Sequence, residues 1–122
     1  MNRLFQLAAI IAVLCFPMRI AAQYQLIELA DVQSAKSLGA TIQDPAGGPI
    51  SKAQVQEFSA DWKTVLCSTS TDSDGSFSFT PVRGRKIYFI QISAPGFDPL
   101  RFRLHVDAKR GTSLKLKLTI AT

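Results

Sequence analysis

Histidine occurs once in the 122 residues, at His105, and glutamate only at Glu28 and Glu57. Tryptophan occurs once, at Trp62, and cysteine only at Cys15 and Cys67. Each scarcity excludes a class of chemistry. One histidine cannot furnish a zinc site built on two imidazoles and a carboxylate. A serine, histidine and aspartate arrangement would have to use His105 with Asp107. His105 alternates with Arg101 and Arg103, and a solvated side chain is expected there. Asp72-Ser73-Asp74-Gly75 has the opening of a calcium loop, but no glutamate follows it to close the coordination shell. The chain therefore reads as a non-enzyme with no metal and no cofactor.

The first 22 residues read as a signal peptide. Arg3 supplies a positive start, Leu4 to Phe16 is apolar apart from Gln6, and Ala21-Ala22 offers a cleavage site before Gln23. Pro17, Met18 and Arg19 interrupt the apolar run short of the roughly 20 residues that a membrane span needs. No stable span is expected once the signal is cleaved. Leu14, standing directly before Cys15, argues against lipid attachment. The expected location is secreted or periplasmic. Cleavage leaves 100 residues, enough for one domain with one modest core. Without Arg3 and Arg19, 12 basic residues face 9 acidic ones, an excess too small for a nucleic-acid-binding profile. Cys67 is then alone, so no internal disulfide is available and packing must hold the fold. As a small apolar residue on a strand, Cys67 is expected to be half-buried.

Residues 23–37 form an N-terminal arm that fits a helical and an extended template about equally, so both stay open. From Leu38 onward the period is two. Seven segments alternate apolar and polar residues: Leu38 to Gln43, Ala53 to Phe58, Thr64 to Ser70, Ser76 to Thr80, Lys86 to Ala94, Leu100 to Val106, and Leu114 to Ile120. Pro and Gly clusters such as Asp44-Pro45-Ala46-Gly47-Gly48-Pro49 separate them. Seven half-buried strands with no credible helix predict an all-β, seven-stranded antiparallel sandwich, a Greek key over residues 38–122. Tyr88, Ile90, Phe102 and Leu116 should share its interior. Two hairpins are expected. The first joins Thr64–Ser70 to Ser76–Thr80 through a structural turn made by Asp72, Asp74 and Gly75. The second joins the last two strands.

In order along the chain stand Ile42 and Asp44, Gly47, Pro49, Ile50, Ala53 and Val55, then Thr71-Asp72 with Gly75 and Phe77, then Tyr88, Ile90, Ile92 and Ala94-Pro95-Gly96-Phe97. That ordered set resembles the carboxypeptidase regulatory-like domain, a transthyretin-like (prealbumin-like) sandwich also grouped with carbohydrate-binding-like folds. The resemblance spans about residues 38–120. Ala40 and Lys52 stand where that family usually has glycine. The resemblance implies a module for folding support, spacing or contact with a partner or glycan, without catalysis of its own. The Tyr-Arg-Gly-Ser ending of transthyretin-like hydrolases is missing, since the chain ends Thr119-Ile120-Ala121-Thr122.

Two groups of residues are candidates for contact. If the last two strands form a hairpin, Arg101, Arg103, Lys115 and Lys117 project from one sheet face, with Lys109 and Arg110 at its tip. Such a face is either solvated, its like charges discouraging edge-to-edge pairing, or a patch that attracts anionic envelope polymers, lipid headgroups or an acidic protein. Phe58 and Trp62 border the connection after the second strand, where an indole either stacks on a sugar or plugs one end of the core. Outward Ile87 and Phe89 form a smaller apolar patch, available to a partner or to the N-terminal arm. The leading reading is a structural or protein-interaction module at the cell envelope. The alternatives are carbohydrate binding through Trp62 and service to a separately encoded carboxypeptidase. The partner, an envelope protein or a glycan, and the oligomeric state stay open.

Overall fold

The computed structural model describes residues 24–122. The signal peptide expected over residues 1–22 lies outside them. Among the described residues there is no helix, and nine strands form two sheets. The strands are β1 (Ile27–Glu28), β2 (Gln33–Ala35), β3 (Gly39–Gln43), β4 (Gln54–Phe58), β5 (Val65–Ser70), β6 (Ser76–Ser78), β7 (Ile87–Ser93), β8 (Leu100–Val106) and β9 (Lys115–Lys117). The large sheet runs β8-β7-β4-β5, with β1 and β2 both laid parallel along the outer edge of β8. The small sheet runs β6-β3-β9, β6 antiparallel and β9 parallel to β3.

The strands form where the period-two pattern allows one face of each to leave water. On β7, Tyr88, Ile90 and Ile92 are buried while Ile87, Phe89, Gln91 and Ser93 are only half-buried. On β8, Leu100, Phe102 and Leu104 alternate in the same way with Arg101, Arg103 and His105. Tyr88, Ile90, Phe102 and Leu116 share one core with Ile42, Val55 and Leu118. Burying side chains of this size contributes roughly 1.5–3 kcal/mol each, which is what holds two sheets together without a disulfide. The Tyr88 hydroxyl reaches the rim of the core. There it accepts from the Val82 N–H (2.9 Å) and donates to the Arg85 carbonyl (3.1 Å), so its burial leaves no polar group unpaired.

The seven expected strands correspond to β3 through β9, but neither expected hairpin exists. β5 pairs with β4 in the large sheet and β6 with β3 in the small one, so the Asp72–Gly75 turn is an arch between sheets. The turn chemistry itself is as expected. Asp72 Oδ1 accepts from the N–H groups of Asp74 and Ser76, both at 2.9 Å. Gly75 has φ 77°, and a Cβ there would stand 2.5 Å from the Ile42 carbonyl oxygen. What prevents a hairpin is anchoring on either side. Buried Thr71 donates its hydroxyl to the Ile50 carbonyl (2.6 Å) and accepts from the Ala53 N–H (2.9 Å), tying the entry to β4. Ile42 N–H donates to the Gly75 carbonyl (2.7 Å), tying the exit to β3.

β8 and β9 are likewise separated, because the edge of β8 that a hairpin partner would need is occupied by the N-terminal arm. Residues 23–37, left open between helix and strand, supply β1 and β2. The Gln25 N–H donates to Asp98 Oδ1 (3.0 Å), and Asp107 N–H donates to the Ala35 carbonyl (2.8 Å). The chain therefore crosses over through Asp107–Leu114 and pairs with β3. Two further expectations are corrected. Cys67 is exposed, because it stands on β5, the edge strand of the large sheet, where five of six residues are exposed. Ile120 is 57% exposed, since β9 ends at Lys117 and Ile120 only bridges to Phe97 at the rim.

Candidate interaction surface

The connection from β4 to β5 is short and bonded to itself. Ser59 Oγ–H donates to Asp61 Oδ1 (2.6 Å), and the Lys63 N–H donates to the same oxygen (3.0 Å). Thr64 N–H donates to Ser59 Oγ (3.1 Å), and Trp62 N–H to the Ser59 carbonyl (2.9 Å). The Ser59 hydroxyl, first of all, holds the Asp61 carboxyl below its ordinary value, with the Lys63 N–H adding to it. Trp62 is thereby held at φ 63°, a left-handed conformation that a bulky residue enters only when its surroundings demand it.

That conformation folds the indole back over the outer face of the large sheet. Phe58 and Phe89 are register partners on β4 and β7, so their rings leave the same face. The Trp62 ring centroid lies 5.6 Å from that of Phe58 and 5.4 Å from that of Phe89, the latter edge-on. The Arg101 guanidinium sits 4.5 Å from the Trp62 centroid, and its Nε–H donates to Gln91 Oε1 at 2.8 Å. An arginine held over an indole contributes about 0.5–2 kcal/mol. Trp62 thus plugs no end of the core. It is a half-buried plate on the outside of the sandwich, backed by two phenyl rings and a cation.

The four cations expected on one face are divided. Arg101 and Arg103 stand on β8, on the outer face of the large sheet. Lys115 and Lys117 stand on β9, exposed on either side of buried Leu116, and belong to the small sheet. Arg103 Nη2–H donates to the Ala30 carbonyl (2.5 Å) and so clamps the link between β1 and β2. Lys109 and Arg110 cap the Asp107 turn through their N–H groups. The structure therefore unites Phe58, Trp62, Arg101 and Arg103 and detaches Lys115 and Lys117. Phe89 joins the cluster instead of meeting the arm. Gln91 was not legible as a participant, although its place opposite Arg101 follows once β7 and β8 are paired.

At one end of the core, beneath Phe58, Glu57 is 2% exposed and bonded to Arg85 Nη1 at 2.7 Å. Its alternation places it on the inner face with Val55, and the Arg85 side chain reaches in from solvent to meet it. A depression of about 390 Å³ opens at the far end of the large sheet between Tyr24, Lys52, Pro95 and Phe97. Nothing in the sequence pattern joins those residues. The arm brings Tyr24 there, its hydroxyl accepting from the Gly96 N–H (3.3 Å).

A two-sheet scaffold with a fixed aromatic and cationic plate on its outer face defines a β-sandwich module. The sequence profile of the carboxypeptidase regulatory-like domain matches residues 37–119, and the chain belongs to that family. The family's domains are non-catalytic sandwiches. No curated protein matches the chain. β1 and β2 precede the matched residues.

Proposed function

We propose that this protein is an extracytoplasmic interaction module that meets an envelope protein through the outer face of its large sheet. The observation that carries this reading is the Trp62 plate. A left-handed tryptophan, locked by its own loop and fixed on two phenyl rings, is a rigid amphipathic anchor of the type that dominates protein interfaces. Arg101 and Arg103 border it and give an acidic partner its complement. Arginine already covers a face of the indole, and a pyranose ring would have to displace it. That favours a protein partner over a sugar. The hydrophobic leader supports export.

The experiment is site-specific photocrosslinking in the living source cell. A photoreactive residue at Gln91 or Gln56, beside the plate, should give a discrete protein adduct, and one at Lys117 on the other sheet should not. Trp62→Ala combined with Arg101→Glu should abolish the adduct. Adducts from Lys117 alone, or binding to a glycan array that disappears with Trp62→Ala, would replace this reading. A periplasmic reporter fused after Thr122 that stays inactive would remove the extracytoplasmic part.

A further inference from the structure

β4 ends at Phe58 and β7 begins at Ile87, so the two faces of the large sheet meet there, beside the Trp62 plate. A depression of about 320 Å³ opens at that end, walled by Phe58, Leu66, Ile87 and Phe89 and lined also by the Glu57–Arg85 pair. Its size is that of the smaller ligand pockets of proteins. A bulge shapes its rim. Glu57 pairs with Cys67 and Phe58 with Val65, so Leu66 is an extra residue on β5. Bulges re-aim side chains, and this one lines the depression.

The ion pair there is only half used. Glu57 Oε2 accepts from Arg85 Nη1, and among the described residues nothing donates to Oε1. No fully buried side-chain polar atom among those residues lacks a partner, so Oε1 opens on the depression that Glu57 lines. The Glu57 side chain as a whole is nonetheless 3% exposed. The Arg85 guanidinium has several N–H donors, and the bond to Glu57 is the one its side chain makes among the described residues. Packed apolar side chains would serve the core as well as a buried ion pair does, so stability alone does not account for Glu57. What the depression offers is an acceptor and a donor of cancelling charge, side by side, within apolar and aromatic walls.

We infer that this depression receives a tyrosine side chain of the protein partner, its hydroxyl donating to Glu57 Oε1 and accepting from Arg85. The inference rests on the interaction face proposed above and names the group that enters beside it. A hydroxyl both donates and accepts, and a phenol carries it on a flat apolar ring. An ammonium or an indole N–H can only donate, and a carboxylate can only accept, so each leaves half of the pair unmatched. A cation would also meet the Arg85 charge, and an anion that of Glu57. Phe58 and Phe89 back the Trp62 ring and also wall the depression, so one partner surface covers both. Tyrosine is among the residues that dominate such interfaces.

Nuclear magnetic resonance titration of the protein expressed from its full sequence tests this, with N-acetyltyrosinamide and N-acetylphenylalaninamide as probes. The tyrosine probe should shift the amides of Ala60, Leu66 and Ile87, and the phenylalanine probe should bind roughly tenfold more weakly. Ala60 is exposed and lines the depression. Ala60→Phe should therefore fill the space, abolish binding of both probes and melt as the wild type does. Glu57→Gln keeps an oxygen for Arg85 but turns a donor toward the depression, and should erase the preference for tyrosine. Should that variant not fold, Ala60→Phe carries the test. Equal binding of the two probes overturns the inference, as does tighter binding of N-acetyllysinamide or a tyrosine shift that Ala60→Phe leaves intact. The crosslink from Gln91 separates this inference from the reading beneath it. An adduct that survives Ala60→Phe keeps the interaction face and removes the inserted tyrosine. Binding of the tyrosine probe with no adduct at all overturns a partner's tyrosine as the occupant.

Discussion

At the scale of single residues, two backbones are held in conformations that their side chains disfavour. Lys52 has φ 60°, and Trp62 has φ 63°. Left-handed geometry costs a residue with a Cβ about 1 kcal/mol or more. Lys52→Gly should therefore raise the urea midpoint by the equivalent of about 0.5–1 kcal/mol with an unchanged slope. A lower midpoint would show that the Lys52 side chain contributes something its exposure conceals. Trp62 is the sole tryptophan, so its fluorescence reports on the candidate surface without interference. The Asp61 pKa is lowered in the folded loop, so the carboxylate's hold on that loop is complete above the unfolded value. It is lost as pH falls through the lowered one. Trp62 emission should accordingly shift to the red on acidification below the ordinary aspartate range, while far-ultraviolet dichroism stays constant. The transition should vanish in Asp61→Asn. Glu57 presents a different case, a buried carboxylate whose partner is 39% exposed on its side chain. Arg85→Ala leaves that charge beneath Phe58 with only entering water to meet it, and should cost about 1–3 kcal/mol by denaturant titration.

At the scale of strands, the alternation of β3, β4, β7 and β8 was legible residue by residue, and so was the Asp72–Gly75 turn. Which strand pairs with which was not. A period of two assigns each side chain to a face, and a strand keeps the same two faces whichever sheet it joins. Pairing is decided instead by which edges are vacant. The arm, whose own pattern suits helix and strand equally, takes the edge of β8, and this displacement sends β9 to β3. The same displacement explains the candidate surface. Arg101, Arg103, Phe58 and Trp62 could be chosen from sequence because each lies outward beside a turn or on an alternating strand. Lys115 and Lys117 were grouped with them only through the supposed hairpin. The arch has its own test. In Gly75→Ala the new methyl meets the Ile42 carbonyl oxygen at 2.5 Å on a left-handed backbone, so the loss should be on the order of 3 kcal/mol. Hydrogen exchange should quicken in β3 and β6 more than in β7 and β8.

At the scale of the whole molecule, the large sheet supplies the exposed surfaces and the small sheet closes the core. Arm, plate and open edge all belong to the large sheet, at different places along it. Loss of residues 24–36 would uncover β8 and strip Ile27 and Leu29 from the core margin. A chain beginning at Ser37 still contains the family's matched residues, and should fold with a lowered melting temperature and a new tendency to associate through β8. Equal stability with and without the arm would show that β1 and β2 lie on the sandwich without supporting it. The parallel pairing of β3 with β9 has a temporal consequence. Thr41 and Lys115 are partners far apart in the sequence, so during synthesis β3 waits for its neighbour until β9 has left the ribosome. Until then the core has one open wall, and a nascent chain in that state is a natural client for a holding chaperone.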